Sequence, residues 1–127
     1  MHKVLISLAA NCDQKQNLNE ARLRLGHVLS SFSFTPELWT EPEGALLRHD
    51  RYLNQLVAGD TALTADELCR QLKTIEELMG RTDADRSQGI VRIDLDLLLY
   101  DSERHHLKDW ERCYVKQLLP LLPVGSV

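Results

Sequence analysis

The chain has 127 residues, a length at which one core can bury roughly two-thirds of the unfolded surface, so a single domain spanning 1–127 is expected. At 43% hydrophobic and 27% charged it lacks the apolar poverty of a disordered chain; no apolar run approaches the roughly 18 residues of a membrane span, nothing in the first ten residues looks like a signal peptide, and the expected compartment is the cytoplasm. A net charge of −4 excludes overall attraction for nucleic acid, and Cys12, Cys69 and Cys113, odd in number and without a CxxC pair, read as reduced thiols.

Residues 3–8 are a short apolar run rich in strand formers ahead of a polar break at 11–16, which predicts a buried first strand. From Leu18 apolar residues recur at Ala21, Leu25 and Val28, and Asn17 with Glu20 has the spacing of a capping box, so a helix is expected over 18–30. The mixture of Phe, Thr and Trp over 32–40 predicts a second strand, with Pro36 favouring a sheet edge. Residues 41–51 carry Pro42, Gly44 and clustered charges and read as a binding-type loop. Alternation through Leu53 and Val57 then predicts a third strand over 52–59, antiparallel to the second.

Thr64 and Glu67 form a cleaner capping box, and Leu68, Leu72, Ile75 and Met79 keep one helical face apolar until Gly80. Residues 81–88 are polar and without period, which predicts a surface loop, whereas 90–100 is the strongest strand signal in the chain. A charged turn follows Asp101, and 107–119 has weak helical spacing. The order β-α-β-β-α-β predicts an α+β, ferredoxin-like antiparallel four-stranded sheet with helices on one face and a short C-terminal helical segment.

In Arg92-Ile93-Asp94-Leu95-Asp96-Leu97 the period of two puts the aspartates on one strand face and the leucines on the other. Their Cα atoms should lie about 6.6 Å apart, close enough for both carboxylates to share hard cations with phosphate oxygens. By spacing alone, a solvated charged face is the commoner meaning of such alternation. His105 and His106, being adjacent, point apart and have no spaced partner for zinc. No Walker loop, G-x-G-x-x-G turn or G-x-S-x-G elbow is present.

Read in order, Ser7-Leu8-Ala9-Ala10-Asn11, Tyr52-Leu53-Asn54, Leu72 to Glu76 with Gly80-Arg81, and Ile93 to Tyr100 resemble the hydroxymethyl-dihydropterin pyrophosphokinase family. His106, Arg112 and Tyr114 match its His-x5-Arg-x-aromatic pattern, so the resemblance spans nearly the whole chain. It implies a magnesium-dependent transfer of pyrophosphate from ATP to hydroxymethyl-dihydropterin in folate synthesis, by attack of the hydroxymethyl oxygen on the β-phosphorus. Asp94 and Asp96 would bind two magnesium ions and, with Arg81, form the catalytic set. Tyr52 and Tyr114 would sandwich the pterin, which Asn54 and Pro42 would also contact. Glu76, Arg92, His106 and Arg112 would lie on the nucleotide side. The implied partners are ATP and the pterin, with no nucleic acid and no membrane, in a monomer or weak homodimer.

The chain departs from the family's Trp-Gly-Pro-Arg-x-x-Asp-x-Asp pattern with Gln88-Gly89-Ile90-Val91. Arg92 stands one place late, which on a strand would turn it to the face of the aspartates. The basic residues expected after Arg81 are replaced by Asp83 and Ala84. A catalytically impaired homologue that binds pterin or nucleotide, or that serves as a protein-interaction domain, is the alternative.

Overall fold

The computed structural model describes residues 1–42, 50–123 and 125–126. In chain order its elements are β1 (His2–Ala10), α1 (Gln14–Leu25), β2 (Ser31–Phe34), β3 (Leu38–Thr40), β4 (Tyr52–Thr61), α2 (Ala65–Leu78), α3 (Asp83–Ser87), β5 (Asp94–Tyr100), β6 (Glu103–Arg104) and α4 (Cys113–Leu118), with 3-10 turns at Leu107–Glu111 and Leu119–Leu121. The strands form one antiparallel sheet of order β2-β4-β1-β5-β6, with β3 also on β4. Among the described residues six strands therefore stand where four were expected.

β1 lies at the centre because its residues 4–10, apolar apart from Ser7, can be covered from both faces. Val4, Ile6, Leu8 and Ala10 join Leu53, Val57, Leu95 and Leu97 beneath α1 and α2. On the opposite face Leu5, Leu56, Ala58 and Leu98 pack under Val115, Leu118 and Leu122 of the C-terminal segment. The helices α1 and α2 thus share one face, as expected, and the short C-terminal segment covers the second. A register shift between Leu5 and Ile6 lets Leu97 oppose Ile6 while Leu99 opposes Leu5, so Tyr100 turns to the α2 side, where its hydroxyl donates to the Leu63 carbonyl at 2.9 Å.

The capping box at α2 forms as expected: Glu67 N–H donates to Thr64 Oγ1 at 3.2 Å and Thr64 N–H to Glu67 Oε1 at 2.9 Å. That at Asn17 does not form. α1 starts earlier, after Asp13 in the left-handed region (φ 42°), and the Asn17 amide instead donates to the Cys12 carbonyl at 2.7 Å. The helix ends before Gly26, since the chain must bend for Leu29 to enter the core.

The expected second strand is split at Thr35-Pro36-Glu37, where side-chain bonds to β4 replace the regular ladder although Thr35 N–H still donates to the Leu56 carbonyl at 3.0 Å. Thr35 Oγ1 takes the Leu56 N–H at 3.0 Å and the Thr35 carbonyl takes Gln55 Nε2 at 2.7 Å. Within the expected loop 81–88, Thr82 accepts from Asp85 N–H at 3.1 Å and starts the five-residue α3, too short for any apolar period to reveal. β5 begins at Asp94 and not at 90, because Ile90 N–H turns back to the Asp85 carbonyl at 2.8 Å and Val91 bonds to Asn11.

Candidate active site

Strand alternation aims Asp94 and Asp96 at the face shared with Leu98, toward the C-terminal segment and away from α1 and α2. Ala9 and Ser7 on β1 stand opposite Asp94 and Asp96, and on β4 Asn54 stands opposite Ala9, with Tyr52 two residues away on the same strand face. The segment that packs the second face carries Asp109, Arg112 and Tyr114 to the same place. Together with Thr40, Glu41, Pro42 and Cys113 they line a cleft of ≈ 750 Å³.

Burial and the neighbouring Asp94 push the Asp96 carboxyl up to about 6, against the pull of His106, whose Nε2 lies 3.9 Å from Asp96 Oδ1. A desolvated carboxylate crowded by a second one gains from a cation more than a solvated pair would. Among the described residues no group of three or more His, Cys, Asp and Glu forms a self-contained metal cage. The donor set fits magnesium, which takes one or two carboxylates and completes its shell from phosphate oxygens and water.

Glu76 comes off α2 to the edge of β5, where its Oε2 takes the Leu95 N–H at 2.8 Å. Burial raises this carboxyl to about 7, opposed by the Leu95 bond and by Arg81, whose Nη1 lies 2.9 Å from Glu76 Oε1. The same guanidinium nitrogen reaches Asp94 Oδ1 at 3.5 Å. Arg81 therefore joins the wall on which Glu76 sits to the first aspartate.

Asn54 donates its amide to Thr40 Oγ1 at 2.7 Å and to the Leu38 carbonyl at 3.1 Å, which fixes its plane at the cleft wall. Burial raises the Tyr52 hydroxyl, and raises that of Tyr114 to about 12, so both rings are neutral at ordinary pH. Arg112 donates from Nε to Asp109 Oδ1 at 2.8 Å.

Glu76, Arg81, Arg92 and His106 are all absent from the cleft lining; Arg81 and His106 still reach Asp94 and Asp96, and Glu76 is held beside Arg81, whereas Arg92 pairs elsewhere. Arg92 precedes β5, so strand alternation does not govern it. Its Nε and Nη2 meet Asp85 Oδ2 and Oδ1 at 2.8 and 3.4 Å, and it is absent from the cleft lining. Asp109 and Thr40 were not anticipated. The spacing of Asp109 three places before Arg112 was a usable signal, whereas Thr40 reaches Asn54 only through strand pairing. Asn11, quoted in the first motif but given no role, binds Gly89 and Val91 from the end of β1.

The model of the 7,8-dihydro-6-hydroxymethylpterin-pyrophosphokinase family matches residues 5–124. The chain belongs to this family. A folate synthesis bifunctional protein, mitochondrial, of Arabidopsis thaliana is 36% identical over 133 residues, covering 95% of this chain and 23% of that protein. The protein of the same name from Pisum sativum is 33% identical and covers 94% of this chain and 24% of its own length. A folate synthesis bifunctional protein of Chlamydia muridarum is 38% identical over 64 residues, half of this chain and 14% of that protein. The chain thus spans about a quarter or less of these relatives' lengths. As a pterin-pyrophosphokinase family member it departs at Gln88 and Val91, but it retains Asp94 and Asp96 on one face. Among its described residues no helix is long and apolar enough to cross a membrane.

Proposed function

We propose that this chain transfers pyrophosphate from ATP to 6-hydroxymethyl-7,8-dihydropterin, with magnesium, on a ferredoxin-like β-α-β-β-α-β core. The observation that carries the reading is the convergence of two carboxylates from β5 with Tyr52, Asn54, Tyr114 and Arg112 around one cleft. Asp94 and Asp96 would hold two magnesium ions, which would offset phosphate charge and polarise the β-phosphoryl group.

Tyr52 and Tyr114 stack on the two faces of the pterin, Asn54 bonds to its edge and Pro42 closes one side. Flat heterocycles favour this combination of apolar faces and polar rim. Arg112 and His106 meet the phosphates, while Glu76 and Arg81 form the nucleotide-side wall. The hydroxymethyl oxygen attacks the β-phosphorus as its bond to the α,β-bridging oxygen breaks. AMP departs with that oxygen and its electron pair, and the hydroxymethyl proton passes to water. Positioning and neutralised charge, more than a strong base, lower the barrier. ATP and the pterin are the partners, with no nucleic acid, for a monomer or weak homodimer in the cytoplasm.

A second reading, an impaired homologue that binds without turning over, draws on Arg92. The guanidinium proposed for the nucleotide side is tied to Asp85, and Val91 and Gln88 stand where the family carries Arg and Trp. An assay for AMP release with magnesium, ATP and hydroxymethyl-dihydropterin decides between them. AMP formed only when all three are present supports turnover; binding without AMP supports the impaired homologue, and neither binding nor AMP dismisses both.

A further inference from the structure

Asn11 is 4% exposed and lies one residue beyond β1, outside the groups assigned above to metal, pterin or nucleotide. Its bonds go to a segment 78 and 80 positions away in sequence. Its N–H donates to the Val91 carbonyl at 2.9 Å, and its Oδ1 takes the Val91 N–H at 2.7 Å. Its Nδ2 donates to the Gly89 carbonyl at 2.9 Å, where the chain turns with φ 71°. Backbone and carboxamide thus act together as one extra rung of the β1–β5 ladder, three residues before Asp94.

On its other side, the β1–β4 register ends at Ala10 opposite Leu53, so the next step along both strands brings Asn11 to Tyr52. The Asn11 side chain faces the Tyr52 hydroxyl there. A single short carboxamide therefore lies between the segment that delivers the aspartates and a ring that lines the same cleft. Leaving such a group unpaired is unfavourable in a buried place, so its geometry is held tightly.

We propose that Asn11 is a positioning residue, fixing the start of β5, and with it Asp94, against the Tyr52 ring so that the cation and pterin halves of the cleft keep one separation. This rests on the pyrophosphokinase reading above. A purely structural clamp would lower stability without favouring one ligand over another.

The test compares Asn11→Ala with Thr61→Val, which removes a buried hydroxyl that donates to the Val28 carbonyl at 3.1 Å near the other end of β4. Titration calorimetry with 6-hydroxymethylpterin, in the presence of magnesium and α,β-methylene-ATP, should show Asn11→Ala weakened on the order of tenfold or more, as misplaced reacting groups are. Thr61→Val should bind as the unaltered chain does. Asn11→Asp keeps the acceptor for Val91 and loses the donor to Gly89; it should fall between the two and serves if the alanine variant does not fold. Unchanged pterin affinity in folded Asn11 variants overturns the proposal. If the unaltered chain binds neither ligand, the pyrophosphokinase reading fails separately. Hydrogen exchange then decides for Asn11: the Val91 amide and residues 81–91 should exchange faster in Asn11→Ala but not in Thr61→Val, and equal protection overturns the clamp.

Discussion

Asp94 and Asp96 carry the chemistry of the cleft, and the cost of keeping them is visible in their surroundings. Asp96 is desolvated beside a like charge, an arrangement that burial alone does not require and a cation relieves. Asp94→Asn and Asp96→Asn should each abolish magnesium-dependent binding of α,β-methylene-ATP measured by calorimetry. If the face merely met water, both would change stability by no more than about 0.5 kcal/mol and leave binding intact. Magnesium-dependent affinity retained in both variants would refute the two-aspartate site. Arg92 shows the opposite case, a charged residue whose partner is structural: its fork is filled by Asp85 before any phosphate arrives.

Among the elements, α3 depends most on so few contacts. Five residues with Ala84 the one apolar member cannot bury an apolar stripe, so the Thr82 cap and the Asp85–Arg92 pair hold this helix in place. The hydrogen bond from Arg92, with its charge, holds the Asp85 carboxyl below the usual range. A carboxyl depressed on folding stabilises fully above its unfolded value of about 4, and that contribution is lost as pH falls through the folded value. In Asp85→Asn it is missing at every pH. The gap in melting temperature between the two proteins should therefore be widest near neutrality and should close on acidification; a gap independent of pH would show that the pair adds nothing to folding.

Across the whole molecule, the second face of the sheet links stability to the site. Leu118 and Val115 cover Leu5, Leu56 and Leu98, and the same segment brings Arg112 and Tyr114 into the cleft. Leu118→Ala should lower the unfolding free energy by about 2–5 kcal/mol in a urea titration, the range for a leucine removed from a packed interior. A loss well below this would mean that the C-terminal segment is not a true second layer. Pterin affinity should fall with it even though Leu118 is absent from the cleft lining, because Tyr114 sits in the same short helix.

The sequence by itself determined what depends on neighbours along the chain. The α2 capping box, the buried β1 and the two-sided strand of Asp94 and Asp96 were all legible, since caps and alternation act over a few residues. Resemblance in the order of motifs added the family and most cleft residues, Tyr52, Asn54, Arg112 and Tyr114 among them. Only the tertiary structure decided the split of β2 from β3, the early start of β5, the clamp of Asn11 on Gly89 and Val91, and the diversion of Arg92 to Asp85. Each of these is set by a hydrogen bond or ion pair whose competing partners are not legible in local pattern, and which is chosen only when packing brings one of them within about 3 Å.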